Sequence, residues 1–130
     1  MTTATLALTL LRIVAAVLFF SHGAQKVFGW FGGMGPGGGA ATLMSLMGAA
    51  GVIEVICATG IGLGLATRLL AFIASGEMAV AYFYSHVRSS HSLWWWENRG
   101  EVTILYCFLW LYFAAAGAGP ISLHRIRGKR

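Results

Sequence analysis

The chain has 130 residues, 58% of them hydrophobic and only 10% charged, with a mean hydropathy of +0.74. Soluble domains carry about 25% charged residues, so this composition excludes an ordinary soluble domain and places a single domain in a bilayer. The net charge of +5 does not argue for nucleic acid, because four of the nine basic residues (Arg125, Arg127, Lys129 and Arg130) crowd into the last six positions; a basic tail beside an apolar run marks a cytoplasmic membrane face.

The first predicted span covers residues 6–28. No positive residue precedes its apolar run, Arg12 interrupts it and no small-x-small cleavage site follows, so a retained helix is expected rather than a signal peptide. Residues 29–42 are rich in glycine. No strand precedes them and no Gly-Lys-Ser/Thr closes them, so they read as a flexible link and not as a phosphate loop. Trp30 and Phe31 are suited to anchor that link at the membrane interface.

The second span, 43–66, carries Glu54 and Cys57. Its Gly60/Gly64 and Gly62/Ala66 pairs have the small-xxx-small spacing that lets another helix approach closely. Thr67 and Arg68 turn into the third span, 69–87, with Glu77 near its middle. A charge at that depth costs about 2.5–3.5 kcal/mol on insertion scales, so Glu77 is expected to face protein, water or a partner. Ser75 and Gly76 beside it favour tight packing.

Residues 88–99 form a second long link containing Trp94, Trp95 and Trp96. An interfacial aromatic belt is the expectation, with ligand stacking as the alternative. The fourth span, 100–119, is expected to stop at Pro120. The sequence thus predicts an all-α, integral membrane four-transmembrane-helix bundle over residues 1–124, with a basic cytoplasmic tail at 125–130. Arg68, Arg125, Arg127, Lys129 and Arg130 fall on the side of the termini, against Lys26, Arg88 and Arg99 on the other. That bias puts both termini in the cytoplasm.

Two polar layers emerge from the helical rise of about 1.5 Å per residue. Arg12, Glu77 and Glu54 fall about 10, 14 and 18 Å from the cytoplasmic ends, so they are expected to meet near the midplane as an ion-paired group. Toward the other face lie His22 and Lys26, Tyr82 and His86, and Asn98 and Glu101. This layer offers imidazoles, a fixed cation and a carboxylate beside aromatic rings. Its histidines lack the His-x-x-x-His or Glu-x-x-His spacing of a strong metal signal, so no metal is assigned. Cys57 and Cys107 sit in different spans without a Cys-x-x-Cys and read first as buried thiols, a helix-linking or redox pair being the alternative. There is no haem or flavin motif, and without Asp a Ser-His-Asp triad is impossible.

One ordered set of residues resembles the DoxX family of small bacterial four-helix membrane proteins. It comprises Arg12, the run from His22 to Lys26, Phe28-Gly-Trp-Phe31, Gly51-Val-Ile-Glu54, Thr67-Arg68, the run from Gly76 to Tyr82 with His86, Asn98-Arg-Gly-Glu101 and the run from Gly117 to Ser122. The resemblance covers residues 10–123. It departs after Leu123, where the family commonly has Asp and this chain has His124. The family takes its name from membrane subunits of a thiosulfate:quinone oxidoreductase. Another member is associated with a membrane oxidoreductase complex.

The resemblance therefore implies a multi-pass subunit in the bacterial cytoplasmic (inner) membrane, working in quinone-linked or thiol/sulfur-linked electron transfer with a partner oxidoreductase or respiratory complex. In that reading Glu77, His22, His86 and Glu101 are the candidate proton donors and acceptors, while Arg12, Lys26, Glu54, Tyr82 and Asn98 are candidates for a quinone pocket or a structural polar network. No redox centre is visible in the chain itself, so quinone is the cofactor expected and electrons come from outside. The alternatives are a non-catalytic scaffold or anchoring subunit and, less favoured, a proton or small-solute carrier without a visible inverted repeat. Membrane lipids are the other expected partners; homo-oligomerisation is left open and nucleic acid is not expected.

Overall fold

In the computed structural model, residues 1–128 are described and contain helices and loops but no strand. Helix α1 (Thr3–Val27) is followed by α2 (Leu46–Leu63) and α3 (Thr67–Ala81). A π-helical turn at Tyr82–Val87 and the short α4 (Arg88–Ser90) continue the line of α3. Then come α5 (Trp95–Asn98), α6 (Glu101–Ala116) and α7 (Leu123–Gly128).

Local chemistry sets the boundaries, and they differ from the predicted spans. The Thr2 side chain accepts from the Thr5 N–H, so α1 begins at Thr3 and not at 6. Ser45 does the same for Gly48, starting α2 at Leu46 rather than 43; Gly64 ends it in the left-handed conformation at φ 73°. The fourth long helix stops at Ala116, because Gly117 leaves helical geometry at φ 82° and ψ −169°. Pro120 is therefore not what ends it. The link at 88–99 holds the short helices α4 and α5, and the described part of the tail folds as α7; Lys129 and Arg130 lie outside the described residues.

α1 and α2 form one antiparallel pair, and α3 and α6 another. Arg68 reaches the α6 end while Ser75 bonds to Cys107 and His86 to Thr103, which fixes the second pair's register. Phe19 of α1 closes the two pairs by packing on Tyr106 and Trp110 at 5.2 and 5.3 Å between centroids. Phe19, Ile61, Trp110 and Phe113 are fully buried, surrounded by Ala15, Ala58, Ala71 and Ala74. Small residues here let the helices approach, which is how helices associate where lipid removes the hydrophobic drive.

The outer surface is the inverse of a soluble protein's. Leu10, Val17, Phe72, Val80, Leu105 and Phe108 are all more than 60% exposed. An apolar face of that extent requires cover, and hydrocarbon supplies it. α1 and α2 are long and apolar enough to cross a membrane, and α6 is a shorter apolar helix. The start of α1 and the 117–122 segment share one end of the bundle, where Arg12 grips the carbonyl of Ala118 and, at 2.9 Å, that of Ile121.

Candidate functional site

The polar interior is built where α1 crosses α2. Gly23 and Gly51 allow this crossing: a Cβ on Gly23 would lie 2.9 Å from the Gly51 carbonyl, and one on Gly51 would lie 2.7 Å from Lys26 Cβ. No larger residue fits. The close approach brings Lys26 Nζ within 2.5 Å of Glu54 Oε1, with the Glu54 side chain only 1% exposed. Glu77 of α3 comes to the same region, bordering one groove together with Lys26. The second oxygens, Oε2 of both Glu54 and Glu77, are buried without a donor. Two carboxyls thus lie near one ammonium, each with an oxygen that no donor reaches.

This arrangement corrects the expected midplane group. Arg12 does not meet Glu54 or Glu77; it is 2% exposed and bonds to backbone carbonyls at the bundle's end. Its guanidinium satisfies the carbonyls that the chain leaves free where α6 unwinds. Lys26 takes the place that Arg12 was given. Counting helical rise puts Lys26 in the other layer, but a lysine stem is long and flexible, and the glycine crossing opens a path inward.

Two cavities flank the cluster. One, of about 100 Å³, is lined by Phe19, His22, Lys26, Glu54, Met78, Thr103 and Tyr106 among others. The other, of about 300 Å³, is a groove between α2 and α3 lined by Met47, Ala50, Ile53, Ile73, Gly76, Val80 and Tyr84, with Lys26 and Glu77 as its charged groups. Lys26 borders both. Gly76, expected to aid tight packing, instead has nothing within 4 Å of where its Cβ would be and opens onto the groove. Ser75 does pack, donating to the Cys107 carbonyl at 2.8 Å.

The remaining residues of the outer layer separate into a knot and two outliers. The π-helical turn sets Tyr82 and His86 toward α6, with their rings 6.4 Å apart. Asn98 donates to the Tyr82 hydroxyl at 3.0 Å and to the Ser92 carbonyl at 3.1 Å, while Tyr82 donates to the Leu93 carbonyl at 2.5 Å. The Asn98 carbonyl only accepts, so the hydrogen on its 3.0 Å contact belongs to His86 Nδ1. Nε2 is left to pair with the Thr103 hydroxyl at 3.1 Å. His22 is exposed and borders the smaller cavity, and Glu101 is exposed at the start of α6. Cys57 and Cys107 are both free thiols, which removes the helix-linking alternative.

Sequence reasoning missed Thr103, Tyr106 and Trp110. Thr103, Tyr106 and Trp110 follow at three- and four-residue steps on one face of α6, as do Phe19, Gly23 and Lys26 on α1; that periodicity was the available signal.

Comparison with known proteins identifies the family. The DoxX family pattern matches residues 7–87, which include every residue of the Lys26–Glu54–Glu77 cluster. The chain belongs to the DoxX family. A relative in Haemophilus influenzae, described as an uncharacterized protein, is 44% identical over 117 residues, covering 89% of this chain and 87% of its own length. No solved structure matches. As a DoxX protein with an apolar exterior, the chain is a membrane protein whose surroundings are lipid.

Proposed function

We propose that this DoxX protein is a four-span subunit of a redox system in the bacterial cytoplasmic membrane, with both termini in the cytoplasm, and that it holds a quinone headgroup in the groove between α2 and α3. The observation that carries the proposal is the presence of Lys26, paired with Glu54, and of Glu77 at the wall of a largely apolar groove of about 300 Å³. An apolar slot with few convergent polar groups suits a lipophilic ligand with polar atoms at one end. The buried Glu77 Oε2, which has no donor, supports the fit. A bound quinone would supply two-electron, two-proton chemistry, with electrons delivered by a partner oxidoreductase.

In this reading Lys26 donates a hydrogen bond to a quinone carbonyl oxygen and stabilises negative charge growing there. Glu77 borders the groove and holds the proton to be transferred, and Glu54 is placed to return one to it from the side of the smaller cavity. Tyr82, Asn98 and His86 hold the wall in shape through their own hydrogen bonds. Arg12 and Glu101 have no part in the groove.

The test is extraction and chromatography of quinone from protein purified with its native lipids, followed by photolabelling with an azidoquinone. Label on α2 and α3 peptides that falls at least tenfold in Glu77→Gln is the expected result. Protein free of quinone and unlabelled in the groove would overturn the proposal.

A second reading, a non-catalytic anchoring subunit, is favoured by the bonds that Lys26 makes to Glu54, His86 to the Asn98 carbonyl and Arg12 to the Ile121 carbonyl, all within the chain. It requires quinone reduction by the native assembly to survive Glu77→Gln, with subunit assembly lost instead.

A further inference from the structure

The opposite end of the bundle holds a separate cavity of about 490 Å³, between the turn from α2 to α3 and the 116–125 segment. Thr67, Arg68, His124 and Arg125 are among its lining residues, and no carboxylate is. All four acidic residues of the chain, Glu54, Glu77, Glu97 and Glu101, lie elsewhere.

α3 begins here without a cap. Ala66, at φ 47° and ψ 34°, has no side chain to accept a hydrogen bond. The N–H groups of Thr67, Arg68 and Leu69 consequently meet no acceptor among the described residues. Such a helix start presents aligned donors and a partial positive charge. A second observation is independent of the helix end. Thr67 is only 5% exposed, and its hydroxyl is buried without any hydrogen-bond partner. Buried hydroxyls are ordinarily satisfied.

Four carbonyls of the neighbouring segment are already engaged. Arg68 donates to the carbonyls of Ala115 and Ala116, and Arg12 to those of Ala118 and Ile121. A guanidinium has five N–H donors, so Arg68 keeps some free. The His124 N–H bonds to the Gly64 carbonyl at 3.3 Å, which ties α7 and its basic side chains to the cavity. Arg125 makes no side-chain hydrogen bond among the described residues, and Leu69 beside the opening is 62% exposed.

We propose that this cavity binds a phosphate group, with the free N–H groups of α3, the Thr67 hydroxyl and the side chains of Arg68 and Arg125 as donors. The phosphate belongs either to a phospholipid headgroup, whose chains would lie along Leu69, or to a free anion from the adjoining water. The site is remote from the α2–α3 groove and stands whether or not a quinone binds there.

The test is thermal unfolding of the full chain in a neutral detergent, titrated with dioleoyl phosphatidylglycerol, with dioleoylglycerol and with inorganic phosphate against chloride at equal ionic strength. Stabilisation by phosphatidylglycerol but not by dioleoylglycerol is expected if the source is lipid. Equal stabilisation by inorganic phosphate assigns the free anion, and both results support the site. Arg125→Gln should weaken the apparent affinity about fivefold, the value of one basic residue near a phosphate-rich surface, while Arg127→Gln, outside the lining, should not. Equal loss in both variants, or stabilisation by dioleoylglycerol matching phosphatidylglycerol with phosphate no better than chloride, overturns the proposal.

Discussion

Lys26 on α1 and Glu54 on α2 form a part-buried ion pair at 2.5 Å, although helical rise alone puts them in different layers of the bundle. The pair exists because the two helices meet through glycine, and because a lysine stem reaches down its own helix to a carboxylate that has no other cation. Glu77 borders the α2–α3 groove together with Lys26 and keeps its Oε2 buried without a donor.

Removing one partner of this pair should cost more than removing both. Lys26→Met leaves the buried Glu54 carboxyl without its cation and should lower stability by about 3–5 kcal/mol. The double replacement Lys26→Met/Glu54→Leu should recover most of that loss, since a well-packed apolar pair avoids the desolvation that charges incur. Unfolding by sodium dodecyl sulfate titration, run as a double-mutant cycle, measures both. A double variant no more stable than Lys26→Met would contradict the pairing.

Arg12→Leu should destabilise for a different reason. It frees the carbonyls of Ala118 and Ile121, at about 1–3 kcal/mol for a buried group left unsatisfied. Amide hydrogen exchange should rise in residues 117–122 and stay unchanged around Glu54. Because Arg12 and Glu77 belong to separate networks, Arg12→Leu and Glu77→Gln should add to within about 0.5 kcal/mol. Strong coupling between them would restore the midplane group that the sequence suggested.

The fold's class was readable because its signals are local and repeated. Long apolar runs, glycine-rich links and the polar residues spaced between them give the helices without reference to tertiary contacts. Helix ends were less legible. The stop at Gly117 depends on one residue's positive φ, and the π-helical turn at Tyr82–Val87 leaves no mark in the apolar period. Of the site, Glu54, Glu77 and Lys26 could be named from sequence, since charges in apolar helices are conspicuous. Their partners could not be named. Depth along a helix says nothing of rotation about it, so Arg12, at a suitable depth, was matched with carboxylates that its side chain does not approach.

The glycine crossing offers a test that touches no charge. Gly51→Ala puts a methyl group 2.7 Å from Lys26 Cβ and 2.9 Å from Val27 Cγ2, so α1 and α2 must separate. Overpacking of this kind costs about 1–3 kcal/mol. The Lys26–Glu54 contact should lengthen with it, and azidoquinone labelling of the groove should fall. Gly76→Ala is the control: nothing lies within 4 Å of its new methyl group, and alanine is the better helix former by about 1 kcal/mol. It should be neutral or stabilising. Equal damage from both substitutions would mean that the crossing is not what positions the cluster.

The hydrogen-bonded knot predicts which polar residues hold the wall and which act in the groove. Asn98→Ala removes the donor to Tyr82 and Ser92 and the acceptor of the Gly100 N–H at 2.8 Å. Asn98 is 6% exposed, so the groups it leaves are shut away from water and the loss should be about 2–3 kcal/mol. His86→Gln retains a donor and an acceptor near Thr103 and should lose less than half of that. Both variants, kept folded at low temperature, should still take the azidoquinone label, since neither residue borders the α2–α3 groove. Glu77→Gln should behave in the opposite way, keeping the melting temperature within a few degrees and losing the label. The contrast lies in the chemistry of the neighbours. Asn98 and His86 have every polar atom engaged inside the chain, whereas Glu77 keeps one carboxylate oxygen without a donor, and only an unengaged group is free to serve a ligand.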